Sequence, residues 1–208
     1  MPMLLTTRRQ ALGFGVAFLA AAAGAFPAYA NDISADAKGF VDKLGRDCIA
    51  AISDQSIPEE ARRAKFKELL LDGFDVPAIG RFVLGRYWRT ATDEQKQEFL
   101  KLFEAMILTT YADRFRNYGG EIFKVNTARS EGDNHSIVQS QIIRPSGGEP
   151  IGIEWRVLKP KGSLKIVDVI VEGVSMSVTQ QQEYASVIQR NGGSLDPFLA
   201  DLRQRYGS

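Results

Sequence analysis

The chain has 208 residues, with 26 Lys and Arg against 25 Asp and Glu, one histidine and one cysteine. So even a balance argues against a general nucleic-acid binder, which carries a basic excess. A single His and a single Cys exclude a His-based metal cluster, a Cys–His catalytic pair and an internal disulfide. Residues 1–30 read as an export signal: Arg8-Arg9, an uncharged apolar run from Ala11 to Ala25, and the small-x-small cleavage site Ala28-Tyr29-Ala30. The run is shorter than the ~20 residues a spanning helix needs. Thr7-Arg8-Arg9-Gln10-Ala11-Leu12 is of twin-arginine type. The mature chain is expected to start near Asn31 and to reside in the periplasm. Its 24 basic and 25 acidic residues give a net charge of −1, because Arg8 and Arg9 are the only charges removed. Residues 31–208 suit one domain with a sizeable core.

The first predicted helix covers 33–54, where Phe40, Val41, Leu44, Cys48 and Ile52 recur at helical spacing. Cys48 falls on that apolar face and reads as a buried small hydrophobe. A second helix starts at Pro58-Glu59-Glu60 and stops at Gly73. Asp75 caps a short third helix running to about Gly85. Thr92-Asp-Glu-Gln95 is a capping box that opens the longest helix, 93–118.

The period then changes. Residues 122–128, 136–144, 151–158 and 164–171 read as four strands separated by Gly-, Pro- and Asn-rich turns. Three short connections in a row imply an antiparallel meander. Two helices follow, at about 180–190 and 196–205. Helices, then strands, then helices is an α+β order, and one sheet with a helix-covered face is the simplest packing.

Enzyme chemistry finds little support. His135 sits in a turn, and no Gly-x-Ser-x-Gly elbow or phosphate-cradling loop occurs. Asp168, between Val167 and Val169 with Ile166 and Ile170 expected on its own face, is the one candidate base. The competing reading is an acid paired with an arginine or capping a helix. The stripe Phe99, Phe103, Ile107, Tyr111 and Phe115 reads from periodicity alone as core, as do Ile153, Trp155 and Val157 and the alternating Val167, Val169 and Val171. Arg81, Arg86 and Arg89 fall within nine residues, beside Tyr87 and Trp88. They fit either a cavity mouth that pairs a phosphate or an exposed helix end.

Three segments are similar to the Mla-type periplasmic phospholipid-binding family, also called the MlaC or toluene-tolerance (Ttg2D-like) family. They are Phe74-Asp-Val-Pro77 through Arg81-Phe-Val-Leu-Gly-Arg-Tyr-Trp-Arg89, then Trp155-Arg-Val157, then Ile166-Val-Asp-Val-Ile-Val-Glu-Gly-Val-Ser175, with Phe198-Leu-Ala-Asp-Leu-Arg203 closing the match. The resemblance implies an NTF2-like curved antiparallel sheet of about four strands, packed against several helices and enclosing an apolar cavity. It implies a carrier, not an enzyme, that moves phospholipid, or a related lipid such as a hopanoid, between inner and outer membranes. The lipid is cargo, and no cofactor or metal is expected. The implied partners are an inner-membrane ABC complex with an MCE-domain subunit and an outer-membrane lipoprotein–porin complex. Under it, Phe82, Val83, Tyr87, Trp88 and Val174 join the α-helical stripe and the strand residues above as expected cavity wall. Arg81, Arg86 and Arg89 become headgroup or partner contacts. The runner-up is an NTF2-like enzyme on a hydrophobic substrate with Asp168 as base.

Overall fold

The computed structural model describes residues 33–54, 56–115 and 119–207, with side chains described for all of these except 112–115 and 161. The expected export segment and the expected helix end at 116–118 lie outside them. In chain order the elements are α1 (Ser34–Ser53), α2 (Glu59–Gly73), α3 (Val76–Leu84), α4 (Tyr87–Thr90), α5 (Asp93–Phe115), β1 (Ile122–Ser130), β2 (His135–Ile143), β3 (Ile151–Leu158), β4 (Lys165–Val171), β5 (Val174–Ser175), α6 (Met176–Arg190) and α7 (Asp196–Tyr206).

The helix starts follow from their caps. The Asp75 carboxylate accepts from the Ala78 N–H at 3.0 Å. Thr92 and Gln95 form the reciprocal box: the Thr92 N–H donates to Gln95 Oε1 at 3.0 Å, and the Gln95 N–H donates to Thr92 Oγ1 at 3.2 Å. Gly85 ends α3 with φ of 57°, a backbone shape that favours glycine. Two features differ from expectation. The four-residue α4 is too short to show a period. Helix α6 begins at Met176 rather than near 180, because Ser175 caps it by accepting from the Val178 N–H at 3.1 Å.

The strands form one antiparallel sheet in the order β1-β2-β3-β4-β5, one strand more than expected. Strand β5 exists because Glu172 and Gly173, both at positive φ, make a two-residue turn that folds Val174-Ser175 back onto β4. Two irregularities break the ladder. Asn126 is an extra residue between the pairs Val125↔Ser140 and Thr127↔Gln139. Val167 is an extra residue between Ile166↔Val157 and Asp168↔Arg156.

The two borders of the sheet are handled differently. The β4 side is covered where Phe74 bridges to Ile166 and the Asp75 N–H donates to the Ile166 carbonyl at 3.0 Å. On its outer side β1 has no strand neighbour among the described residues. There the Asn126 carbonyl takes a hydrogen bond from Lys38 Nζ at 2.7 Å.

Helix α1 lies across β1 and β2. Gly45 permits this approach: a Cβ there would fall 2.3 Å from the Phe123 ring. The other helices form a separate layer, with α5 packed on α3, α7 and α2, and α6 on α3. Cys48 and Ile52 of α1 touch that layer. Burial, reinforced by the Asp47 charge, pushes the Cys48 thiol up to about 11. The unfolded chain releases this proton near pH 9 and the folded chain only near 11, so the thiol's contribution to stability is complete below pH 9 and lost above it. The denaturation midpoint of the wild type should therefore fall more steeply from pH 9 to 11 than that of Cys48→Ala. Parallel slopes in the two proteins would place the thiol in water.

Candidate functional site

The register decides which strand residues share a face, because directly opposed residues project to the same side. On the side that α1 crosses, four rows run across the sheet. The first is Phe123, Ile142 and Ile151. The second is Val125, Ser140, Ile153, Val171 and Val174. The third is Ala128, Val138, Trp155 and Val169. The last is Ser130, Ser136, Val157 and Ile166.

This floor is closed at one end and open at the other. Val157 and Ile166 are fully buried beneath Ala37 and Val41 of α1. Trp155, Val169, Val171, Ile142, Ile151 and Phe123 are only half-buried, and Val174 is exposed. The polar atoms in the floor satisfy one another: Trp155 Nε1 donates to Ser140 Oγ at 2.8 Å, and the Ser140 hydroxyl donates to the Ile153 carbonyl. What remains is hydrocarbon. Phe74 and Phe123 meet the Trp155 ring edge-on, at 6.4 and 6.0 Å between centroids.

The buried apolar residues fall into two clusters rather than one. One lies between α1 and the sheet, the other among α2–α7, and Phe74 packs against both. Half-buried Ile107, Leu108, Met106 and Ile79 border the helical cluster. A floor of half-covered apolar side chains beside a separate helical core is an arrangement that can hold hydrocarbon.

The expected wall residues separate accordingly. Ile153, Trp155, Val169 and Val171 lie on the floor, and Val174 is at its open rim. Ile107 and Trp88 are half-buried against the helical core, with Lys96 Nζ 5.9 Å from the Trp88 ring. Burial sets four of the expected residues apart. A side chain lining open space keeps accessible surface, yet Phe99, Phe103, Val83 and Val157 keep essentially none and pack as core, whereas Tyr87 and Ile153 each keep 8%. Phe82 and Tyr111 depart in the other direction and stand exposed. Val167 is the unpaired bulge residue, out of the row that Val169 and Val171 share with β3. The Phe115 side chain lies outside the described residues. Ile151 continues the β3 alternation of Ile153, Trp155 and Val157. Phe123 and Ile142 complete the floor and were not expected there, since the alternation of β1 and β2 carried the signal but only the register assigns it to this face.

Of the two readings of Asp168, the structure shows the acid set beside an arginine and holding a helix start. The Val167 bulge places it with Arg156 on the opposite side of the sheet from Ile166. Both carboxylate oxygens are occupied: Ser175 Oγ donates at 2.7 Å, the Ser177 N–H donates at 3.1 Å, and Arg156 Nη1 lies 4.0 Å away. A buried acid so engaged pins the start of α6 to β4 and faces away from the floor. Asp168→Ala should cost about 3 kcal/mol, from lost charge-assisted hydrogen bonds and an orphaned N–H. A denaturation midpoint within error of wild type would show that the clamp contributes nothing. His135 is exposed, and the described residues contain no group of His, Cys, Asp and Glu that could hold a metal.

The MlaC protein family model matches residues 43–204. The chain belongs to the MlaC family. One relative is the intermembrane phospholipid transport system binding protein MlaC of Haemophilus influenzae, 27% identical over 166 residues, covering 78% of this chain and 77% of that protein. Another is the toluene tolerance protein ttg2D of Pseudomonas putida, 25% identical over 126 residues, covering 60% of this chain and 58% of that protein. Among solved structures, a phospholipid-binding protein from Ralstonia solanacearum, determined in complex with a phospholipid, superposes with a TM-score of 0.71 at 23% identity, covering 83% of this chain and 99% of that one. That likeness fixes the fold: helices with an open antiparallel sheet, consistent with an NTF2-like architecture.

The signature stretches now have structural reasons. In Ile166–Ser175, Asp168 and Ser175 clamp α6, Glu172-Gly173 make the hairpin turn, and the Glu172 carboxylate accepts from the Gly152 N–H. In Arg81–Arg89, Gly85 turns the chain between α3 and α4, while Val83, Leu84 and Tyr87 fill the helical core.

Proposed function

We propose that this protein is a periplasmic phospholipid carrier of an Mla-type transport system, exported by its N-terminal segment. The observation that carries the proposal is the hydrocarbon floor from Trp155 and Val169 to Phe123, Ile142 and Ile151, half-open, with no buried side-chain polar atom left unpaired among the described residues. Exposing an acyl chain to water costs ~0.8 kcal/mol per CH₂ group, so a soluble carrier must shelter the tails and can leave the headgroup wet. In this reading the tails lie between the floor and the helical layer, with Ile107 and Phe74 on the helical side and Val171 and Val174 toward the mouth. The carrier needs no cofactor or energy source of its own. Its partners are an inner-membrane ABC complex with an MCE-domain subunit and an outer-membrane lipoprotein–porin complex, which set the direction of transfer.

Native mass spectrometry of protein purified without detergent, with chromatography of an organic extract, tests the proposal. Phospholipid should copurify at close to one molecule per chain or a simple fraction of it. A hopanoid mass would change the cargo and keep the carrier. Protein that emerges empty under several mild preparations would overturn the reading.

A further inference from the structure

A second apolar surface lies away from the floor, on the seam where α3 ends and α6 begins. Phe82 is 46% exposed, Val178 38% and Met176 36%. The Phe82 carbonyl accepts from Gln181 Nε2. Gln181 sits one turn beyond Val178, and its side chain also lies against Gly85. The end of α3, the Gly85 turn and the first turns of α6 therefore form one continuous surface.

The same stretch carries Arg81, Arg86 and Arg89, all exposed. Among the described residues none of the three pairs with a carboxylate. Several exposed arginines elsewhere are neutralised, as in Arg46–Asp42, Arg63–Glu59, Arg203–Glu98 and Arg205–Asp201, while Lys101, Lys124, Arg144 and Arg190 lack a carboxylate partner among the described residues but do not cluster beside exposed apolar side chains on one short stretch. Arg86 Nη2 donates to the Tyr87 hydroxyl at 2.8 Å, and its guanidinium carbon lies 4.9 Å from that ring's centroid. This contact holds the group in place without cancelling its charge. The nearest acid along α6, Glu183, is engaged by Gln180.

We infer that this seam docks the protein on an anionic phospholipid bilayer, with Phe82, Val178 and Met176 entering the interface and Arg81, Arg86 and Arg89 holding phosphates. Guanidinium groups pair phosphate oxygens bidentately, and a phenyl ring flanked by cations is the composition of an interfacial anchor. The inference rests on the carrier reading for its purpose, since loading or delivery at a bilayer is what a lipid carrier would use it for. Its readout is separate.

The test is flotation of the purified protein with vesicles of phosphatidylcholine alone or with about 30% phosphatidylglycerol, an anionic lipid that gives the surface its negative potential. Binding should require phosphatidylglycerol and weaken at about 0.5 M salt, where charges are screened. At roughly a fivefold loss per arginine charge removed, Arg81→Gln with Arg86→Gln should weaken flotation about 25-fold, and the Glu pair further. Phe82→Ser should weaken it with unchanged salt dependence. Circular dichroism and melting of each variant exclude unfolding as the cause, and native mass spectrometry follows cargo independently. Equal binding to both vesicles, no binding, or variants that float like wild type would overturn the inference. So would arginine-dependent self-association, or arginine-dependent capture by an acidic protein, without flotation. An empty wild type that still floats on anionic vesicles would overturn the carrier reading and leave the docking surface standing.

Discussion

Phe99→Ala should lower stability by about 4 kcal/mol and the melting temperature by roughly 10 °C, the largest effect expected of a single truncation in this protein. Phe99 has no accessible surface. It stacks on Phe103 at 5.6 Å between centroids, and Tyr184 and Phe198 close around it at 6.0 and 6.2 Å. Removing the ring empties space that three other aromatics define, and packed interiors relax only partly. Calorimetry or denaturant melts measure the loss. The folded fraction should retain its lipid, because the residue is core of the helical layer. A variant that melts like wild type but has lost its lipid would return Phe99 to the wall.

Val169→Asp should do the reverse, with at least a tenfold loss of copurifying lipid and a smaller loss of stability. Val169 pairs with Trp155 in the middle of the floor and is only half-buried. In the empty protein a carboxylate there can keep water. In the loaded protein it must be desolvated against an acyl chain with no cation in its row, which costs several kcal/mol. Even ~2 kcal/mol directed at the loaded state alone is roughly a 30-fold change in occupancy. Val169→Ala, which keeps the floor apolar, serves as the control. Normal lipid content in folded Val169→Asp would mean that the tails do not lie over this part of the sheet.

These two residues also mark how far the sequence could be read. Caps and punctuation were legible because their chemistry is local: Asp75, the Thr92–Gln95 box and Gly85 act within a turn of themselves. The strands were legible from their change of period. What a pattern cannot say is which neighbour a face will meet. The α5 stripe was correctly apolar, but its Phe99 and Phe103 pack inside the helical core, and half-buried Ile107 stays at the border of that core. Nor does alternation survive an unseen insertion. The Val167 bulge reverses the side of Asp168 relative to Ile166 and turns a candidate base into a clamp. The family resemblance carried the function further than the residues alone, since a half-open floor is a property of assembled strands.

The outermost strand has one more consequence. A bare strand border invites other copies of the chain to pair with it and zip into fibres. Here the extra Asn126 breaks the even spacing of the β1 ladder, and the Lys38 ammonium sits on its carbonyl. A charge and a kink at that border leave an approaching copy neither the straight register nor the free acceptor it would need. The border is thus guarded in the two ways that sheet edges commonly are, by a cation and by a bulge.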